Sequence, residues 1–330
     1  FVDLADDQIG RARYELAPDD SFDFFPEWKV KEREWLAEQG AAFVSIVSQS
    51  PDLLKGIDSK RIATFQKAAG TALNKYRQYV QSDKISWTVI ASPSEAWAEK
   101  VFPNLPKEKQ VDALWDAIFK ATRSDLENPV EAWTKHNDTL HEKVHYLNAK
   151  KYAKLHYTAP GTDLTIELPK GHLWCGAGSV NEKGEEFMAN MPTEEVFTVP
   201  HKDGVNGYVS STKPLSYGGN IIDNFKITFE NGRITKVEAE QGEEVLKNLV
   251  ATDEGSHRLG EVALVPHDSP ISNSGLLFYN TLFDENASNH LAIGSAYAFC
   301  LEGGKKMNRE ELEANGLNQS ITHVDFMIGS

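Results

Sequence analysis

The spacing of apolar residues changes near Lys150, and that change points to a chain of two dissimilar parts. Before it, helical periodicity alternates with short apolar runs. Pro26 opens a helix through Trp28, Val30 and Trp35 that closes near Gly40. Ala41–Val47 follows as a nearly continuous apolar strand, then a helix from about Ser59 to Val80 with Ile62, Phe65, Ala69, Leu73 and Tyr76 three or four apart. Ser86–Ala91 reads as a second buried strand. Further helices are predicted from Ser94, from Pro106 to about Ala121, and from Pro129 to Asn148. Helices alternating with buried strands specify an α/β unit on a mostly parallel sheet, residues 1–150.

After Lys150 the strands are short and separated by Gly and Pro turns: Leu155–Thr158, Leu164–Leu168, Val205–Val209, Val262–Val265 and Leu276–Tyr279. Phe225–Phe229 and Ile234–Val237 flank Asn231-Gly232, a strong hairpin signal because both residues tolerate positive φ. One helix is expected from about Gly242 to Thr252, and another between Gly303 and Asn318 with surface loops. Residues 151–330 thus read as a strand-rich α+β domain. Phe1-Val2-Asp3-Leu4 reads as strand rather than tail, so the chain is expected to begin inside a longer protein.

Several function classes are excluded early. Lys plus Arg number 34 and Asp plus Glu 49, a net charge of −15, which repels phosphate backbones and anionic lipid. No apolar run reaches the ~18 residues of a membrane span. Neither nucleic acid nor membrane is an expected partner. Cys175 and Cys300 lie far apart outside any CxxC pair, which argues for buried apolar cysteines and a cytoplasmic, reducing setting. Gly176-Ala-Gly178 lacks the third glycine of a dinucleotide loop, and no P-loop, HExxH helix or GxSxG elbow occurs.

Polar residues within apolar or strand-like sequence concentrate the chemistry. Glu261 directly precedes Val262–Val265, where an unpaired buried carboxylate is costly; a strand-end glutamate facing water is the alternative. His323 and Asp325, two apart, share one side of a strand, either as a hydrogen-bonded pair or as ligands. His290 follows Asp284 and Glu285, and a turn with an exposed histidine is the plain alternative. Glu194 and Glu195 are adjacent, so on an extended segment they face opposite ways. Together, carboxylates and imidazoles suit zinc, cobalt or manganese, and several acids offset the repulsion between two cations ~3.5–4 Å apart.

Pro192-Thr-Glu-Glu-Val-Phe-Thr198, Leu259-Gly-Glu-Val-Ala-Leu-Val-Pro266, Leu282-Phe-Asp-Glu-Asn-Ala-Ser288 with His290, and His323-Val-Asp-Phe-Met-Ile-Gly-Ser330 resemble the motifs of the thermophilic-type metalloaminopeptidases, the aminopeptidase T and S group. Weaker likeness runs through Tyr157–Leu164 to Pro51–Leu54. The resemblance implies an exopeptidase acting on peptides with a free N-terminus, with two divalent metal ions (Zn, Co or Mn) and a metal-activated water. Carried over by position, the implied ligands are Glu195, Glu261, His290, His323 and Asp325, with Glu195 chosen over Glu194 and Glu261 bridging. Glu285 is implied as a further ligand or general base, and Tyr297 as the active-site tyrosine. A homodimer enclosing a cavity is also implied. So is an N-terminal strand–helix unit preceding Phe1, whose absence would expose sheet edge and apolar surface. The alternatives are a dipeptidase or other amide hydrolase with the same metals, or a non-catalytic metal-braced binding protein.

Overall fold

A computed structural model of the chain describes residues 1–329; Ser330, the last residue of the His323 motif, lies outside them. The architecture is mixed α/β. In the first half, β1 (Phe43–Val47) and β2 (Trp87–Ala91) pair in parallel and alternate with helices, as the periodicity predicts. The helices at Glu27–Glu38, Glu95–Val101, Lys107–Ala121 and Pro129–Lys150 lie where expected, and the Ser94 side chain caps the second of them. The expected Ser59–Val80 helix is broken at Leu73 into Ser59–Ala72 and Asn74–Gln81.

Three local expectations are corrected. Phe1–Leu4 forms no strand; the segment is exposed, with the Phe1 ring set edge-on to Trp35 at 6.1 Å. β1 is not buried on both faces. Val47, Val89 and Ala91 pack on a cluster containing Trp97 and Phe283, while Val44 and Ile46 on the other face are each 63% exposed. Leu276–Tyr279 is not a strand, because its backbone is engaged by side chains instead of a neighbouring strand. Trp97 Nε1 donates to Phe278 O, and the Phe278 and Asn280 amides donate to the Asp284 carboxylate at 2.8 and 3.0 Å.

In the second half, β3 (Lys154–Ala159), β4 (Thr162–Glu167), β9 (Val205–Ser210), β10 (Leu215–Tyr217), β11 (Asn220–Glu230) and β12 (Arg233–Gln241) form an antiparallel sheet. Its β11–β12 hairpin turns at Asn231 and Gly232, with φ of +48° and +80°. A second antiparallel sheet joins β5 (Cys175–Gly176), β8 (Val196–Thr198), β13 (Leu259–Leu264), β14 (His290–Gly294) and β15 (His323–Met327) in the order β15-β14-β13-β8-β5. The small ribbon of β6 (Ser179–Val180) and β7 (Glu186–Phe187) stands apart. The helix Glu243–Val250 and the short helix Arg309–Ala314 lie within their expected segments.

The second sheet has two chemically different faces, because side chains alternate along each strand. Val196, Val262, Leu291, Ile293 and Phe326 point into the main hydrophobic core. The register aligns Glu261, Ala292 and Asp325 across β13, β14 and β15, and puts His290, Gly294 and His323 on that same opposite face. A β-bulge at Gly260 sets this register: a Cβ there would lie 2.3 Å from Ser295 O, so only glycine admits so close a strand crossing.

Candidate metal centre

Four strands deliver the carboxylates and imidazoles to one place. Glu195 stands at the entry to β8, two residues before Phe197 on the same face, while Glu194 turns away. Glu194 accepts from Arg123 Nη1 at 2.5 Å and Nη2 at 3.0 Å, and its amide donates to Asn286 Oδ1 at 2.7 Å. This bidentate pair, buried at Glu194 and half-buried at Arg123, commits Glu194 away from the site. The segment leading to it is also held by Met191 N–H donating to Val89 O in β2.

Two groups of ligand-type atoms result. One atom from each of Glu195, Glu261 and His290 lie within 4.8 Å of one another, as do atoms of Glu261, His323 and Asp325. Glu261 belongs to both. His290 Nε2 is 2.8 Å from Glu195 Oε2 and 3.5 Å from Glu261 Oε1; His323 Nε2 is 3.7 Å from Glu261 Oε2 and 3.5 Å from Asp325 Oδ1. Each imidazole has its other nitrogen at a backbone carbonyl: His290 Nδ1 at Ser288 O, 3.1 Å, and His323 Nδ1 at Ser295 O, 2.8 Å. A donor hydrogen on Nδ1 leaves the Nε2 lone pair directed at the cluster, the usual support for a metal-ligating histidine.

Two oxygens test whether this set fits a cation. Glu195 Oε2 and Asp325 Oδ1 are buried with no hydrogen-bond partner among the described residues. Glu195 Oε2 is near His290 Nε2 in distance, but the approach lacks hydrogen-bond geometry. Buried carboxylate oxygens left without a donor are costly, and they suit a cation. Burial, helped by the neighbouring Glu195 and Asp325 carboxylates and opposed by the histidines, pushes Glu261 up to about 7. Burial disfavours charge on His323, but Asp325 and Glu261 outweigh it and lift the imidazole to about 9. Protons are thus held where bound cations would otherwise offset the acids.

Glu285 and Tyr297 adjoin the same cavity of about 290 Å³. Burial raises the Glu285 carboxyl well above its ordinary value, and Asp325 and Glu195 add to the shift. Tyr297 packs its ring on His323 at 4.8 Å and stacks on Phe299 at 5.1 Å. Burial and the nearby acids keep its phenol protonated. Trp87, His141 and Val144 from the first half and Trp174, Phe197 and Phe299 from the second complete the walls.

The sequence profile of the thermophilic metalloprotease (M29) family matches residues 1–330. This chain belongs to the thermophilic metalloprotease family. As a member it is a metal-dependent hydrolase. It is similar to the aminopeptidase AmpS of Bacillus subtilis (strain 168), 69% identical over 329 residues that cover 100% of this chain and 80% of the relative. It is 52% identical to aminopeptidase 2 of Geobacillus stearothermophilus over 330 residues, with the same coverage. Among solved structures, wild-type AmpT from Thermus thermophilus superposes with a TM-score of 0.88 at 42% identity, covering 100% of this chain and 80% of that one.

The residues that sequence reasoning missed are second-rank but instructive. Arg123 and Asn286, which fix the Glu194–Glu195 segment, lie 71 and 92 residues from Glu194. Arg123 stands in no motif, and Asn286 lies within Leu282–Ser288 with nothing there to single it out. Ala292 and Gly294, the small residues beside the clustered acids and imidazoles, carry no chemical label until the strand register is known.

Proposed function

We propose that this chain is an aminopeptidase that removes N-terminal residues from peptides with two divalent cations, zinc, cobalt or manganese, at the Glu261 cluster. The observation that carries the reading is the pair of three-residue groups sharing one carboxylate, Glu261, which suits a ligand bridging two ions. Glu195 and His290 would complete one position, His323 and Asp325 the other. Bound there, the cations would supply Lewis-acid polarisation of the scissile carbonyl and a water of lowered pKa.

The protein's own groups do the rest. Glu285, whose carboxyl is raised well above its ordinary value by burial and by Asp325 and Glu195, takes the proton the attacking water loses and passes it to the departing amine. Tyr297, a neutral phenol on the cavity wall, donates a hydrogen bond to the developing oxyanion. The aromatic walls exclude water and hold the substrate. Residues 1–150 act as an α/β unit that contributes wall, and residues 151–330 as the unit that contributes every ligand. A homodimer in the cytoplasm completes the reading; the two free cysteines suit a reducing compartment.

The test is chelator-stripped protein assayed with chromogenic aminoacyl amides and with a peptide in free and N-acetylated forms. Added metal should restore hydrolysis of the free forms, with about two ions bound per chain at full activity. Equal cleavage of the acetylated peptide, or metal binding without hydrolysis, overturns the assignment. Sedimentation of the purified protein tests the dimer.

A further inference from the structure

The cavity has two chemically different ends. One is the cluster of carboxylates and imidazoles. The other is marked by Lys305, the only lysine or arginine among the described residues that line the cavity. It lies in the turn Gly304–Lys306, with Nζ 2.9 Å from Asp83 Oδ2 and 5.8 Å from the Phe299 ring centroid. Asp83 is buried, whereas the Lys305 side chain is 47% exposed. An ammonium has three donors, and Asp83 takes one of them. Sharing an ammonium between two carboxylates is ordinary in this protein: Lys75 Nζ holds Glu34 at 3.0 Å and Glu38 at 2.7 Å.

A ladder of rings joins the two ends. Tyr297 lies 4.8 Å from His323, Phe299 stacks on Tyr297 at 5.1 Å, and the Lys305 ammonium stands 5.8 Å from Phe299. An extended peptide advances about 3.3–3.6 Å per residue, so the ladder followed ring by ring is about four to five residues long, an upper bound on the straight span. A substrate whose free amine sits at the acidic cluster and whose chain follows the ladder brings its far end to the cation. Asp83 keeps that cation from wandering, so part of the entropy of fixing a lysine side chain is spent before substrate arrives.

We propose that Lys305 is a substrate-binding residue on the leaving-group side that takes a carboxylate and makes short peptides with a free C-terminus the favoured substrates. The proposal rests on the aminopeptidase reading above. An acidic side chain at the substrate's second residue offers the same chemistry, so the experiment separates the two sources.

The substrates are Leu-Gly-Gly, its C-terminal amide, Leu-Asp-Gly-amide and leucyl-p-nitroanilide, assayed with metal-loaded enzyme. Wild type should cleave Leu-Gly-Gly with kcat/KM about tenfold above that of its amide, mostly through KM, the scale of one charge-assisted hydrogen bond. Lys305→Met leaves Asp83 buried without its partner, so the informative variant is Asp83→Asn/Lys305→Met, which removes both charges. There the acid-to-amide ratio should fall toward one, while Asp83→Asn alone should keep it. A ratio near one in wild type, or a wild-type ratio surviving in the double variant, overturns the proposal. Leu-Asp-Gly-amide matching the acid, with the same loss in the double variant, supports Lys305 and makes the side chain an equal source. If wild type cleaves neither the anilide nor any peptide, the aminopeptidase reading has failed, which is a separate result from the loss of selectivity.

Discussion

Ala292 is the most direct probe of whether cations occupy the shared face of β13, β14 and β15. It makes no polar contact and ligates nothing, yet its Cβ projects between Glu261 and Asp325, its partners in the two ladders. Cα atoms facing one another in antiparallel strands are about 4.5–5.5 Å apart. A zinc-type cation sits about 2.0–2.2 Å from a carboxylate oxygen, whereas a methyl group needs about 3.5–4.0 Å from its neighbours. Ala292→Val adds two methyl groups on the face where the ion would lie between those carboxylates, and the two cannot share that volume. The site is fully buried, so overpacking costs about 1–3 kcal/mol of stability. At about 2.1 cal/mol/K of unfolding entropy per residue, that lowers Tm by about 1.5 °C per kcal/mol in a chain of this length, leaving the protein folded at 25 °C. Metal affinity should fall by at least about tenfold, equivalent to about 1.4 kcal/mol. Isothermal titration of chelator-stripped wild type and variant, with thermal melts on the same samples, measures both. Unchanged stoichiometry and affinity in a folded Ala292→Val protein would refute the placement of ions on this face.

Tyr297→Phe keeps the ring stacking on Phe299 and removes only the hydroxyl; kcat should fall by ~10²-fold or more with KM and metal content unchanged, and lost metal would make Tyr297 a ligand instead. Metal affinity should rise as pH increases from about 7 to about 9, because Glu261 must lose a proton held up to about 7 and His323 one held to about 9. The sign follows from competition of protons with cations for the same atoms, and a pH-independent affinity in titration calorimetry would contradict it. Asp284→Ala removes the acceptor of the Phe278 and Asn280 amides, at about 1–3 kcal/mol for the buried Phe278 amide alone, and a melt within 1 °C of wild type, on the order of 0.7 kcal/mol, would show that the loop re-forms its bonds elsewhere.

Alternation made part of the site legible in the chain. His323-Val-Asp-Phe placed two polar side chains opposite two apolar ones, and β15 has that arrangement. Glu261 stood out because it abuts an apolar run. His290 was harder to read: His-Leu-Ala-Ile-Gly is too short to separate from a turn, yet it forms the interior strand β14, its two ladders supplying what local pattern lacks. Leu276–Tyr279 misled for the converse reason. Its residues suit a strand, but Asp284 and Trp97 bind its backbone first. The Ser59–Val80 periodicity continued across Leu73, where the backbone does not. Lys305 and Asp83, 222 residues apart, became neighbours only through the packing of the two halves.

The five clustered residues are spread from Glu195 to Asp325, on four segments that must be laid side by side in one sheet, and Glu194 is clasped by Arg123 from the first half. An enzyme that trims chain ends is a hazard to its own maker if it works while half assembled. With the centre distributed in this way, a partly synthesised or locally melted molecule has the parts of a peptidase without the tool. Competence arrives only once the last of these strands has been laid beside the others, so the folding step itself acts as the safety catch.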